Sequence, residues 1–275
     1  MAKAVDAAKL PDKLRVRPGA RIVLREPAAR VAHGWRKADA ERALERNRHE
    51  LGALQYRMYA GGHHALLVVL QAMDTAGKDS TIRHVMTAFN PQGCTVHAFK
   101  APNDLERQYD YLWRAHRCVP PRGSIAVFNR SHYEDVLVVR VSQLAPRAVW
   151  QRRYRHINEF ERLLADCDTR VVKIFLHVSK AEQKRRLGER LEDPKKHWKW
   201  DAADLDKRRQ WRDYMQAYQA VLTRCSTAHA PWYAVPADRK WFRNFAVSQI
   251  LLNELRALAP KLPKVELDPD SYRIF

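Results

Sequence analysis

No apolar run in this chain of 275 residues reaches the ~18 residues that crossing a bilayer requires, which argues against a membrane-spanning helix. The N-terminal stretch MAKAVDAAKLPDKLRVRPGA has no apolar core of the kind that directs secretion. Cysteine is sparse, and Cys94, Cys118, Cys167 and Cys225 show no C-x-x-C spacing. That spacing suggests neither a zinc site nor a disulfide framework, and predicts reduced thiols in a cytoplasmic protein. Internal repeats and low-complexity segments are missing, and no Ser/His/Asp or Cys/His arrangement of nucleophilic catalysis stands out. Acidic residues are few beside basic ones: 31 Asp and Glu against 50 Lys and Arg leave a formal charge of +19. Such an excess attracts polyanions, whether nucleic acid, anionic lipid or inorganic phosphate chains, and charge alone does not choose among them.

What is present is enough for a sizeable core. The apolar fraction is 46%, and the mean hydropathy of −0.56 predicts a soluble chain. Residues 1–36, basic and rich in Pro and Ala, read as an arm lying over a single domain at 37–259, with an extended tail at 260–275. Within the domain, Ala40, Leu44, Leu51, Leu54 and Met58 keep helical spacing, and Gly61-Gly62 ends that helix. Short apolar runs at 66–70, 95–100, 125–129, 171–178 and 232–236 read as strands. Helical patterns separate them, at 78–88, 103–117 with Asn103 as cap, 146–166, from Ser179 onward, 204–227, and from Asp238 to about 259. Aromatic residues Tyr109, Tyr111 and Trp113, and likewise Trp211, Tyr214 and Tyr218, read as core. Strands alternating with helices, and lacking strict apolar alternation, predict a parallel sheet buried on both faces in a three-layer α/β/α sandwich.

The chemistry concentrates after the first strand. LLVVLQAMDTAGKDST runs from a continuous apolar strand into a small-residue turn, then Gly77-Lys78, then a helix. That layout cradles phosphate: backbone N–H groups and a helix N-terminus face an anion while a lysine supplies mobile charge. Thr75, Ala76, Gly77, Lys78, Asp79 and Ser80 are the candidate cradle. The copy is imperfect, with Ala72 for the first glycine, Asp79 after the lysine, and Asp74 inside the loop. A carboxylate beside phosphates repels them unless a divalent cation intervenes, so Asp74 reads as a ligand of Mg2+ or of its water shell. The alternative is a turn residue bonding its own backbone.

Two further segments belong with this loop. FNRSHYED follows the strand at 125–129, and ligands of open α/β sheets bind beyond the carboxyl ends of strands. Asn129 stands where many phosphate-loop enzymes place a metal-binding aspartate, the acids Glu134 and Asp135 come slightly later, and Arg130 is suited to brace a moving phosphoryl group. The other reading of these acids is an ordinary helix N-terminus. Lys100, at the end of the second strand, is a further phosphate contact or a solvated strand end. Farther on, Arg185, Arg186, Arg190, Lys195, Lys196 and Lys199 surround Pro194, Trp198 and Trp200. This basic cluster reads as part of a lid at about 185–212 that closes over the phosphates, the alternative being a solvated basic face.

With these elements in place, the chain resembles the polyphosphate kinase 2 family. The similarity is carried by LLVVLQAMDTAGKDSTIRHVMTAFNPQG, VHAFKAPN, YLWRAHRCVPPRGSIAVFNRSHYEDVLVVRV, WQRRYRHINEFERLLAD, ERLEDPKKHWKW and APWYAVPA, in order over about residues 50–250. FNRSHYEDV with MDTAGKDS is similar to the class III subgroup; class I members carry aspartate at the place of Asn129 and asparagine at that of Glu134. The resemblance implies a P-loop kinase fold of the thymidylate-kinase type with a helical lid. It implies transfer of the terminal phosphoryl group of inorganic polyphosphate to AMP and ADP, giving ADP and ATP, with Mg2+, for which Mn2+ substitutes. Carried over residue by residue, Asp74 and Asp135 place the metal or the nucleotide phosphate. Gly77 and Lys78 cradle phosphate, and Arg130, Arg190 and Lys196 hold polyphosphate. A homo-oligomer, dimer or tetramer, is expected, without specific nucleic acid or membrane as partner. The competing readings are an ADP-only polyphosphate kinase, an ATP-dependent nucleoside monophosphate kinase, and a non-catalytic nucleic-acid-binding protein that would leave Asp74, Glu134 and Asp135 without a task.

Overall fold

The run around 66–70 forms β1 (Ala65–Ala72), a strand buried at every residue. It is central in a five-stranded sheet of order β2-β3-β1-β4-β5, with β2 (Cys94–Ala98), β3 (Ile125–Asn129), β4 (Thr169–His177) and β5 (Trp232–Pro236). Every pairing among these five strands is parallel. Strands covered on both faces need no polar side, which is why their sequences are continuous apolar runs. The edge strand β2 is the exception, with Thr95, Val96 and Ala98 exposed. The computed structural model describes residues 4–268 and 271–274; residues 1–3 of the predicted arm, and 269–270 and 275 of the predicted tail, lie outside the described residues.

The helices are α1 (Leu10–Leu14), α2 (Lys37–Gly61), α3 (Lys78–Val85), α4 (Trp113–His116), α5 (Val138–Val141), α6 (Arg147–Asp166), α7 (Lys180–Glu192), α8 (Ala203–Arg209), α9 (Trp211–Arg224) and α10 (Lys240–Leu258). Helix α10 packs on α1, α2, α3, β4 and β5, and is buried nearly all round, as its long apolar stretch demands. Helix α6 packs on β4 and α5 on α9. The result is the α/β/α sandwich expected from the alternation. Residues 4–36 lie on this body: Val16 N–H donates to Trp232 O (2.8 Å), Leu24 N–H to Gln219 Oε1 (2.7 Å), and the Trp35 ring packs tilted against Phe245 with ring centroids 4.3 Å apart.

Four expectations need correction. The helix over 204–227 is interrupted at Gln210, which separates α8 from α9. The helix over 103–117 is broken. Asn103 does cap, in a reciprocal pair with Glu106 (Glu106 N–H to Asn103 Oδ1 2.8 Å, Asn103 N–H to Glu106 Oε2 3.0 Å). Only the short 3-10 turn Glu106–Gln108 follows. Asp110 Oδ1 then takes the amides of Leu112 and Trp113, restarting the chain as the single turn of α4. Tyr109, expected in the core, is 50% exposed and stacks on Trp113. Asp238, expected to cap the last helix, accepts instead from Ser179 N–H and Ser179 Oγ, both at 2.8 Å, and so fastens the start of α7 to the end of β5.

Candidate active site

Because β1 and β3 are neighbours, the loops that leave their carboxyl ends are forced together. Arg130 N–H donates to Leu70 O (3.1 Å), and Leu70 pairs with Asn129 in register. The loop after β1 carries unusual backbone geometry: Thr75 has φ +64°, Gly77 φ +107°, and Arg130 on the facing loop φ +62°. A β-branched residue in the left-handed region is strained, and such strain concentrates where geometry serves a site. Thr75 is held there by Arg186, whose Nη1 donates to Thr75 O and Ala76 O, both at 3.0 Å.

Asp74 is the hub. One carboxylate oxygen accepts from Arg130 (2.7 Å), the other from Lys207 on α8 (2.9 Å), and the side chain is only 13% exposed. Burial raises its pKa, but Lys78, Arg130 and Lys207 outweigh that and hold the carboxyl well below the usual range, so it is ionised. Lys78 is buried, with Nζ donating to Ala72 O (3.2 Å); burial lowers its pKa, with Asp74 opposing. Arg130 is desolvated too, yet Asp74 and Glu134 raise its pKa. Glu134 acts electrostatically on both Lys78 and Arg130. Asn129 Nδ2 donates to Asp79 Oδ1 (2.7 Å), tying the end of β3 to the first turn of α3. The residues named from sequence as Asp74, Lys78, Asp79, Asn129, Arg130 and Glu134 therefore form one cluster.

Others are placed differently. Asp135 Oδ1 accepts from Arg153 on α6 (2.8 Å). Burial pushes its pKa up to about 6 against the pull of Arg153 and Arg114. Lys100 is exposed, its carbonyl accepting from Arg114 Nη2 (2.9 Å). Arg186 is buried, and its remaining nitrogens go to Glu182, Ala237 O and Asp238 O, so it supports the loop from beneath and has no donor left for a lid contact. Arg185 pairs with Glu182 and Glu189 on the outer face of α7. Arg190 donates to Lys199 O (2.8 Å) and pairs with Asp204 (3.1 Å), and Lys196 pairs with Asp193 (3.0 Å). Lys199 covers the exposed Trp198, and Lys195 is exposed.

Several participants carried no motif. Lys207 lies beyond the basic run at 190–199. Gln183, whose Nε2 donates to Asp74 O (3.2 Å), reads as an ordinary residue of α7. Arg153 sits on the mixed charged face of α6, and Arg114 is buried on the single turn of α4. The turn His132–Asp135, which bears Glu134 and Asp135, is anchored by a fully buried network. Lys173 on β4 pairs with Glu161 and donates to Tyr133 Oη (2.9 Å) and Cys225 O (2.6 Å), while Tyr133 Oη donates to Glu161 Oε1 (2.8 Å). Burial lowers the pKa of His132, with Glu161 opposing. A lysine inside an apolar strand pattern was the available signal for that network.

The donor set suits a hard divalent cation. Among the described residues no cluster of three or more His, Cys, Asp or Glu could hold a metal by itself. Mg2+ needs no such cage, since one or two carboxylates plus phosphate oxygens and water suffice. Asp74 is an ionised carboxylate in the loop, and beside it Thr75 Oγ1 is buried without a hydrogen-bond partner among the described residues.

Comparison with known proteins agrees with this architecture. The Polyphosphate kinase 2 (PPK2) family profile matches residues 34–263. A protein of Meiothermus ruber named AMP/ADP-polyphosphate phosphotransferase is 50% identical over 256 residues, covering 92% of this chain and 96% of that protein. An ADP-polyphosphate phosphotransferase of Rhodopseudomonas palustris is 46% identical, covering 78% of each chain. The crystal structure of polyphosphate kinase 2 from Arthrobacter aurescens TC1 matches with a TM-score of 0.92 at 43% identity, covering 98% of this chain and 97% of that one. With a phosphate-type loop after β1, a parallel sheet and a match over most of its length, this chain belongs to the polyphosphate kinase 2 family and has its P-loop kinase fold.

Proposed function

We propose that the chain is a phosphotransferase that moves the terminal phosphoryl group of inorganic polyphosphate to AMP and ADP, giving ADP and ATP. The observation that carries this reading is the cluster of Lys78, Arg130 and Lys207 around the ionised Asp74, where the loops after β1 and β3 meet. Membership of the family supports polyphosphate as donor, and the name of the M. ruber relative supports AMP and ADP as acceptors. The R. palustris relative, named for ADP alone, is the observation that favours an ADP-only enzyme as second reading.

Phosphoryl transfer asks little covalent chemistry of a protein, and alignment with charge neutralisation carries it. The acceptor is an already ionised phosphate oxygen, so no general base is needed. Lys78 and the amides of 75–80 bind phosphate in the loop, and Arg130 braces the group in transfer. Lys207, Arg190, Lys195, Lys196 and Lys199, on the segment running from α7 to α8, serve the polyanion as a lid. Asp74 would hold Mg2+, or Mn2+ in its place, with Thr75 Oγ1 and phosphate oxygens at hand. When bound, that ion neutralises phosphate charge and orients the chain. Asp135, held by Arg153, positions the loop that carries Glu134. The protein works in the cytoplasm as a homo-oligomer. Among the described residues no helix is long and apolar enough to cross a membrane. The test is product formation from polyphosphate and either AMP or ADP, with the two acceptors followed separately. Transfer to ADP with none to AMP would select the second reading.

A further inference from the structure

Arg243 has no task yet among the residues of the site, although its charge is fully buried. It sits on α10, fully buried, inside the apolar stretch that packs against the sheet. Its guanidinium donates to Ala76 O (3.1 Å), Ser80 Oγ (3.0 Å) and Asn244 Oδ1 (2.8 Å), all neutral acceptors. No ion pair compensates it among the described residues, and the charged group acting on it is a second cation, Arg186. Burial first, and Arg186 second, push its pKa down to about 9. A buried charge without a partner is costly, and here the gain from its loss is offset by the hydrogen bonds that Ser80 Oγ and Asn244 Oδ1 would lose with it. Arg186, by contrast, is paired with Glu182.

Its position is specific. Ala76 O accepts from both guanidiniums, Arg186 at 3.0 Å and Arg243 at 3.1 Å. In a trans peptide the carbonyl and the following N–H point to opposite sides. Drawing Ala76 C=O toward the two arginines therefore turns the Gly77 N–H to the other side of the loop. Gly77 is required for the same reason: a Cβ there would lie 1.8 Å from Arg243 Nη1. Its φ of +107° is a second, independent demand for glycine.

We propose that Arg243 is a positioning residue of the phosphate cradle: with Arg186 it clamps the Ala76 carbonyl inward, aims the Gly77 amide at phosphate, and keeps beneath the loop a positive charge whose counter-ion is the bound phosphate chain. The proposal rests on the reading of 72–80 as a phosphate site. Ser80 Oγ, held by the same guanidinium, fixes the first turn of α3 against the loop, so cradle and helix N-terminus move as one unit.

The test is calorimetric binding of inorganic tripolyphosphate to the full chain, with melting temperature read with and without ligand. Arg243→Met removes the charge at similar volume. Binding should weaken about tenfold or more, as loss of hydrogen bonds from a charged group implies. The ligand-induced rise in melting temperature should shrink with it, while the unliganded protein melts close to wild type. With polyphosphate as substrate, KM should rise more than kcat falls. Arg243→Lys keeps the charge but has no fork to span Ala76 O and Ser80 Oγ, and should bind roughly threefold to tenfold more weakly than wild type. A purely structural arginine would give the reverse pattern, a large loss of unliganded stability with affinity unchanged, and that result overturns the proposal. So does wild-type affinity in Arg243→Met, or in Arg243→Lys should the methionine variant not fold. Failure of the wild-type chain itself to bind tripolyphosphate would instead remove the phosphate reading on which the proposal stands.

Discussion

Asp74→Asn should separate phosphate binding from phosphate transfer. The carboxylate accepts from Arg130 at 2.7 Å and Lys207 at 2.9 Å, with 13% of the Asp74 side chain, 32% of Arg130 and 24% of Lys207 exposed. Breaking a fully buried ion pair costs about 3–5 kcal/mol, and a surface pair about 0–1 kcal/mol. These pairs lie between the limits, so the unliganded variant should lose about 2–3 kcal/mol. For a chain of this size that lowers the melting temperature by roughly 4–8 °C. Phosphate should reverse the loss, because it supplies the anion that the three cations then lack. A unit charge ~8 Å from a phosphate oxygen, at an effective dielectric of ~20, repels it by about 2 kcal/mol. Tripolyphosphate without metal should therefore bind the variant roughly thirtyfold more tightly than wild type. Turnover with polyphosphate and Mg2+ should fall by about 10²–10³ or more, the scale of losing one preorganised electrostatic partner. Calorimetry in chelator, thermal melting and a steady-state assay read the three quantities. Weaker metal-free binding in Asp74→Asn, or unchanged turnover, would refute the assignment of Asp74 as the loop's metal-directed anion.

Lys78→Met should leave the fold intact, since the replacement fills the same buried channel, and should lower kcat/KM for polyphosphate by at least about 10²-fold; activity near wild type would remove the lysine from the site. Asp135, raised to about 6, should contribute to an acid limb in the activity profile, with activity gained as the carboxyl ionises above that pH. Arg153 lowers that pKa, so Arg153→Met should move the limb upward, and a limb that stays put or moves down contradicts the pairing. Lys173→Met leaves Glu161 as an uncompensated buried charge and should cost about 3–5 kcal/mol, much of it regained when Glu161→Gln is added; denaturant melts of the two variants decide this. Activity on long polyphosphate should fall steadily with added salt, since many cations hold one flexible polyanion, and a flat response would argue against the basic lid.

The four strands other than the edge strand β2 were legible because burial on both faces leaves them largely continuous apolar runs, and β3 and β5 begin and end where that pattern does. The phosphate loop was legible because Gly77-Lys78 answers two backbone needs at once, a left-handed residue and a helix start. The segment 103–117 was not, because Asp110 competes for the amides that a longer helix would use. Asp238 has the composition of a cap, but tertiary packing offered it Ser179 instead. Arg186 belongs to a basic run in sequence and to the loop's underside in space, since a helix sends neighbouring residues to different faces. Lys207 lies 133 residues from Asp74 along the chain, and nothing local marks it as Asp74's partner. Arg243 had one signal, a cation within the buried stretch 242–252 of α10.

The central claim is that phosphate-chain polymer is the donor and adenine nucleotides the acceptors. The most direct measurement supplies polyphosphate and Mg2+ with AMP, or with ADP, in parallel with ATP plus AMP, and quantifies ADP and ATP over time. The account predicts ADP followed by ATP from polyphosphate and AMP, and ATP from polyphosphate and ADP. ADP formed from ATP and AMP, with no nucleotide product from polyphosphate, would contradict it.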